Sequence, residues 1–194
     1  MTGGTGGIGR RFVRERLRRG DEVFVVSRRS DEARRMFAAG ATPKVHVLEG
    51  DPGIPGRWQQ TVGEVDAVVH LAGAPIASAR WTPQVRETIR RSRVESTFQV
   101  AFAIRESETP PRVFLSASGT GRYAAGGGVL DEAAPAGRGF LSSVAAAWER
   151  EALRAASERT RVLIARIPTV LDRDAGFLAR MAPWWRRGLD PAPW

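Results

Sequence analysis

Met1-Thr2-Gly3-Gly4-Thr5-Gly6-Gly7-Ile8-Gly9 is the stretch whose reading decides the fold. Gly3, Gly6 and Gly9 recur at every third position and lead straight into an apolar-periodic run, Ile8, Phe12, Val13 and Leu17. That spacing predicts a tight backbone turn feeding a helix. Glycine lets a phosphate approach main-chain N–H groups with no side chain in the way. The first helical turn has unpaired donors and the positive end of the macrodipole, which suits a pyrophosphate. A glycine triplet alone is weak evidence, and a flexible linker is the bland alternative. It gains weight because Gly20 ends the helix and Glu22 to Val26 reads as a strand. No Gly-Lys-Ser/Thr follows, so a Walker-type loop is not indicated.

Only Met1 and Thr2 precede the turn, where a buried strand belongs. In an open parallel sheet that strand is central. Its shortening is expected to expose two strand edges and to weaken stability.

The next strand ends at Ser27-Arg28-Arg29, with no carboxylate before Asp31. At this place an acidic residue would accept from the ribose 2′-hydroxyl, whereas arginine accommodates a 2′-phosphate. Arg28 and Arg29 therefore favour NADP over NAD; solvent-facing loop arginines are the alternative. Further on, Ser30 caps a short helix stopped by Gly40, and Val45 to Leu48 reads as a strand. The run Val65 to Leu71 reads as a buried strand closing on Leu71-Ala72-Gly73, small residues that let a flat ligand lie against the backbone. Thr82-Pro83 starts a long helix, 83–107, and Val113 to Leu115 is a strand finishing at Ser116-Ala117-Ser118. A Gly/Ala-rich loop, a helix from Phe140 to Ala156, a strand Arg161 to Ile167 and a helix near Asp174 complete the chain.

Strands and helices thus alternate throughout, which predicts an α/β fold: a Rossmann-like doubly wound parallel sheet, truncated at both ends. One domain over 1–194 is expected. Ligand should lie along the carboxyl ends of the strands, where the glycine turn, Arg28, Gly73 and Ser118 would converge.

Composition narrows the function classes. The chain is 42% hydrophobic and 26% charged, as for an ordinary globular domain. It has no apolar run of ~18 residues and no signal peptide, so a cytoplasmic location and no membrane partner are expected. Without cysteine there is no disulfide, thiolate metal site or cysteine nucleophile. The two histidines, His46 and His70, fall in strand-like runs and read as packed residues rather than metal ligands. The net charge of +9 invites a nucleic-acid reading. However, arginines such as Arg10, Arg14 and Arg18 are scattered over helix faces without interleaved aromatics, so nucleic acid is not the expected partner.

These residues resemble the extended short-chain dehydrogenase/reductase superfamily, and within it the epimerase-like subfamily. The resemblance rests on Thr2–Gly9, Leu71–Ile76, Arg80-Trp81-Thr82 with Ser92-Arg93, Ser116–Ser118, Phe140-Leu141 with Trp148-Glu149, and Arg166 to Arg173. It implies a nicotinamide cofactor held by Gly3, Thr5, Gly6, Gly7, Ile8, Gly9, Arg28, Arg29, Leu71, Ala72 and Gly73. It further implies a homodimer through the long helix 83–107, and a substrate lobe incomplete at the C-terminus. Members of the superfamily use a Ser/Thr with a Tyr-x-x-x-Lys pair. Ser118 falls at the serine position. The single tyrosine, Tyr123, and the single lysine, Lys44, cannot form that pair, and its place carries Phe140/Val144 or Leu141/Ala145.

Two readings of catalysis remain open. Tyr123, on the loop past Ser118, acts as acid/base alone, or it is a packing residue of that loop. Ser118 polarises the substrate, or it caps the strand end; Glu149 is a charged partner in the site, or it belongs to helix packing beside Trp148. The leading expectation is an NADP-dependent oxidoreductase or epimerase acting on a carbonyl or hydroxyl carbon of a small or nucleotide-linked substrate. A non-catalytic dinucleotide-binding sensor or partner-binding module is the alternative. Trp184, Trp185 and Trp194 are expected to pack on further chain or on a second subunit.

Overall fold

In the computed structural model, residues 1–38, 44–77, 79–124, 126, 128–172 and 176–189 are described. Gly40, Asp174, Arg173 and Trp194, named above, lie outside them. The elements alternate as expected: α1 (Gly7–Arg18), β1 (Val23–Ser27), α2 (Ser30–Ala38), β2 (Val45–Glu49), β3 (Ala67–His70), α3 (Pro83–Glu106), β4 (Val113–Gly119), α4 (Phe140–Leu153), β5 (Arg161–Ile167) and α5 (Gly176–Trp185). Short 3₁₀ helices cover Arg57–Glu64 and Thr120–Arg122.

Every strand pairing is parallel: β1 with β2, and β3 with β4 and β4 with β5. Thr2 joins the two groups, bridging Val26 on one side and His70 on the other. The order across the sheet is therefore β2-β1-Thr2-β3-β4-β5. The amide of Thr2 donates to the Val69 carbonyl at 3.0 Å, its carbonyl accepts from Leu71 at 3.2 Å, and Met1 accepts from the Val26 amide at 2.8 Å. Two residues thus hold the central position of a Rossmann-like sheet.

Apolar residues pack on both faces. Val13 of α1 and Phe37 of α2 cover Val23 and Val25 on one side. On the other, Val100, Ala101 and Ile104 of α3, with Trp58 of the 3₁₀ helix, cover Val26, Val68 and Phe114. Each such side chain contributes about 1.5–3 kcal/mol on burial, which is why the layers hold. Between β1 and β3, behind Met1, lies a cavity of about 500 Å³ lined by Val23, Phe24, Val26, Val68, Val69 and Val100 among others. Close-packed interiors hold few voids larger than a water molecule, so this cavity departs from ordinary packing.

Three sequence expectations need correction. The run from Val65 narrows to Ala67–His70, because the 3₁₀ helix occupies the chain up to Glu64 and Val65 ends it. β4 continues beyond Leu115 through Ser118 to Gly119, because β5 offers a partner as far as Ile167. α4 stops at Leu153 rather than Ala156, where the chain turns back through Ala155 and Ala156 amide bonds. α3 keeps the expected cap: Thr82 Oγ1 accepts from the Val85 amide at 3.3 Å, with Pro83 opening the helix.

Candidate active site at the carboxyl edge of the sheet

The glycine turn leaves the sheet at Thr2 and enters α1 with no side chain in its path. Gly3 has φ +70°, and a β-carbon there would stand 2.6 Å from the Leu71 carbonyl carbon. At Gly9 a β-carbon would lie 2.1 Å from the Gly3 oxygen. Both positions need glycine because backbone meets backbone. The turn is therefore pressed against Leu71-Ala72, which brings together two of the motifs that the sequence keeps far apart.

No side chain caps α1 at Gly6, and the first helical hydrogen bond is Arg10 to the Gly6 carbonyl at 2.9 Å. The amides of Gly7, Ile8 and Gly9 have no partner among the described residues. Unclaimed donors at a helix start, with no β-carbon at Gly6 or Gly7, fit a dinucleotide diphosphate. Thr5 lies within the same turn. One strand away, Arg28 and Arg29 extend from the end of β1, mostly exposed. Arg28 is 3.8 Å from Asp51, and Arg29 pairs with Glu32 at 2.9 Å. Such exposed pairs hold their partners weakly. Gly73 packs against the Arg93 guanidinium, whose central carbon would be 3.3 Å from a β-carbon at Gly73.

His70 is fully buried between Thr2 Oγ1 at 2.6 Å and Ser96 Oγ at 3.2 Å. The Ser96 hydroxyl donates to the Ser92 carbonyl at 2.7 Å, so it accepts from His70 Nε2–H, and Thr2 then donates to Nδ1. Burial, with the nearby amino terminus, pushes the imidazole down to about 3, so it stays neutral and structural.

The catalytic candidates fall at the ends of β4 and β5. Ser118 is buried on β4 and donates to Glu149 Oε1 at 2.7 Å. Glu149, on α4, also accepts from Arg166 through Nε and Nη2, both at 2.9 Å, and from Arg122 Nε at 3.2 Å. Burial alone would raise this carboxyl; the bonds from Arg166 and Ser118 outweigh it and hold Glu149 below the usual carboxylate range. Arg166 Nη1 reaches on to Tyr123 Oη at 2.9 Å and to the Glu132 carbonyl at 2.8 Å. Ser118 and Tyr123 are thus joined through one buried ion cluster.

Glu149 belongs to this cluster rather than to plain helix packing. Arg166 is a residue that sequence reasoning missed as a site member. Its signal was an arginine inside the apolar strand Val162-Leu163-Ile164-Ala165; a charge in a buried strand needs a partner. Arg122 Nη1 and Trp148 Nε1 are buried with no hydrogen-bond partner among the described residues. Arg93 lies over the Trp148 ring at 5.4 Å, and burial lowers its pKa.

The chain is similar to known proteins over nearly all of its length. Residues 1–190 match the model of the NAD dependent epimerase/dehydratase family. The chain is 38% identical over 190 residues to the epimerase family protein SDR39U1 homolog, chloroplastic, of Arabidopsis thaliana, covering 96% of this chain and 52% of that protein. It is 32% identical over 183 residues to an epimerase family protein of Staphylococcus haemolyticus, covering 93% and 58%. The human epimerase family protein SDR39U1 (isoform 2), solved with NADPH, superposes with a TM-score of 0.76 at 30% identity, over 97% of this chain and 59% of that one. The chain thus spans about half the length of these relatives. Among the described residues no helix is long and apolar enough to cross a membrane.

Proposed function

The chain belongs to the NAD dependent epimerase/dehydratase family, and from that premise we propose that it is an NADP-dependent oxidoreductase or epimerase-like domain, one unit over 1–194. Its substrate would be small or nucleotide-linked, reacting at a carbonyl or hydroxyl carbon, and its compartment cytoplasmic. The observation that carries the reading is the uncapped start of α1, with three free amides pressed beside Leu71-Ala72. The human relative solved with NADPH supports the choice of the phosphorylated cofactor, as do Arg28 and Arg29, whose weak ion pairs leave them able to turn to a 2′-phosphate.

When bound, the nicotinamide supplies or takes up hydride. Gly3, Thr5, Gly6, Gly7, Ile8 and Gly9 hold the diphosphate, and Leu71, Ala72 and Gly73 form the floor beside it. Arg166 is donor-only, so Tyr123 Oη accepts from it and keeps its own proton free to give to a substrate oxygen. Ser118 spends its proton on Glu149, so its oxygen is left to accept from a substrate hydroxyl. This differs from a serine that polarises a carbonyl, which would have to donate. Glu149 and Arg166 are positioning residues, since they hold Ser118 and Tyr123 respectively.

The test is titration with NADPH and NADH, read by energy transfer from tryptophan. NADPH is expected to bind at least ~10-fold more tightly than NADH. Arg28→Glu with Arg29→Glu should weaken NADPH by ~10-fold or more and leave NADH unchanged. No binding of either cofactor at millimolar concentration would refute the reading. Binding without cofactor oxidation across a carbonyl panel would favour the sensor instead, a reading to which the lack of Tyr-x-x-x-Lys lends weight.

A further inference from the structure

Two aromatic rings and one arginine meet where the chain leaving β3 crosses to the start of α4. Trp81, just ahead of α3, is fixed by its Nε1, which donates to the Ile76 carbonyl at 2.7 Å. Phe140 opens α4. The two rings meet edge-on, with centroids 5.5 Å apart and planes at 70°, and each is only partly buried. The first turn of α4 is fastened to the chain that carries Tyr123. Ser142 Oγ donates to the Arg122 carbonyl at 2.9 Å, and a β-carbon at Gly121 would be 3.2 Å from that of Leu141. Phe140 and Trp81 therefore stand at the same end of the sheet as Tyr123. Arg86, in the first turns of α3, reaches both rings, its guanidinium carbon 6.0 Å from the Trp81 centroid and 5.5 Å from that of Phe140. Its neighbours on that helix are paired: Arg90 with both oxygens of Glu87, and Arg91 with Glu95. Arg86 is exposed and has no carboxylate partner among the described residues.

We propose that Trp81, Phe140 and Arg86 form a substrate subsite for an aromatic carboxylate, with the ring against the two aromatic side chains and the carboxylate on the guanidinium. The proposal rests on the reading of Ser118 and Tyr123 as the reacting end, and it narrows the small-substrate class to aromatic acids bearing a carbonyl or hydroxyl carbon. Attraction to ring faces uses the charge of a guanidinium but not its N–H donors, so Arg86 keeps its donor fork for an anion. That fork matches the two oxygens of a carboxylate in one plane. An aromatic acid is flat from ring to head, so one ligand can lie along both rings and meet the fork. Its single charge equals that of Arg86. Glu87, next in sequence, is tied to Arg90 through both oxygens and so does not claim the fork. Partly exposed aromatic walls with one polar group to set orientation are the usual make-up of a small-molecule site.

The experiment measures binding of naphthalene-2-carboxylate, its neutral amide and 2-naphthyl phosphate by ligand-observed NMR, on the native chain, Arg86→Gln and Phe140→Leu. The native chain is expected to bind the carboxylate at least ~10-fold more tightly than the amide, as a charge-assisted hydrogen bond supplies. Arg86→Gln should erase that preference and leave the amide affinity and the Tm unchanged, because the side chain is exposed. Phe140→Leu should weaken carboxylate and amide together. A cluster that only fastens the loop would instead lower Tm in Arg86→Gln and show no preference between the two ligands. Equal binding of carboxylate and amide, no binding at ~10 mM, or a preference that survives in Arg86→Gln would overturn the proposal. Tighter binding of the phosphate would overturn the carboxylate assignment. NADPH titration of the same samples separates the two readings: carboxylate preference without NADPH binding leaves the subsite and removes the dinucleotide reading, and NADPH binding without the preference does the reverse.

Discussion

Glu149→Gln is the substitution that most directly tests the cluster at the end of β4 and β5. It keeps the shape of the side chain and removes its charge. In the native chain Glu149 is 7% exposed and accepts from Ser118, Arg122 and Arg166. The two arginine side chains are themselves only 21% and 19% exposed, so water does little to screen them. Breaking a buried ion pair by neutralising one partner costs about 3–5 kcal/mol, since the other charge is left uncompensated. Some relief comes from the amide oxygen, which can still take one hydrogen bond, so the lower end, ~3 kcal/mol, is the expected loss. For a domain of this size that is a fall in Tm of about 6–12 °C. The pH dependence has a definite sign. The folded pKa of Glu149 is depressed, so its contribution is complete above its ordinary value of about 4.5 and fades as pH falls through the lower folded value. Melting curves of native and E149Q protein should therefore stand apart at pH 7 and converge in acid. A variant that melts within ~2 °C of the native chain at pH 7 would refute the cluster as a unit.

Three further outcomes are expected. Gly9→Ala drives a β-carbon into the Gly3 carbonyl and should abolish NADPH binding at cofactor concentrations that saturate the native protein; retained affinity by fluorescence titration would show that the turn does not hold the diphosphate. The Met1 amine, lowered from 8.0 to about 5 on folding, binds a proton only in the unfolded chain between those values. Stability should then rise by ~4 kcal/mol from pH 5 to pH 8, at about 1.36 kcal/mol per unit. His70 adds to the slope below 6.5, so an Nα-acetylated protein should be flat above that pH in differential scanning calorimetry, and identical profiles would contradict the burial of the amine. For the proposed homodimer through α3, Phe98 and Phe102 stack on its exposed face, and Phe98→Glu with Phe102→Glu should halve the mass seen by light scattering; a native chain already monomeric at low concentration would remove that interface. In the same measurement a monomer would also argue against a second subunit over Trp184 and Trp185, which are 47% and 44% exposed.

Local pattern and contact geometry divided the information between them. The alternation of apolar runs with capped helices is a property of neighbouring residues. Thr82-Pro83 at the start of α3 and the glycine spacing before α1 could therefore be read directly, and with them the parallel α/β order. The single tyrosine and single lysine likewise ruled out a Tyr-x-x-x-Lys pair without any coordinates. What sequence left open was every relation between residues distant in the chain. Whether Glu149 served packing or the site depended on Ser118, Arg122 and Arg166 arriving within hydrogen-bond distance from three other elements. A charge cannot announce its partner until folding removes the water that would otherwise satisfy it.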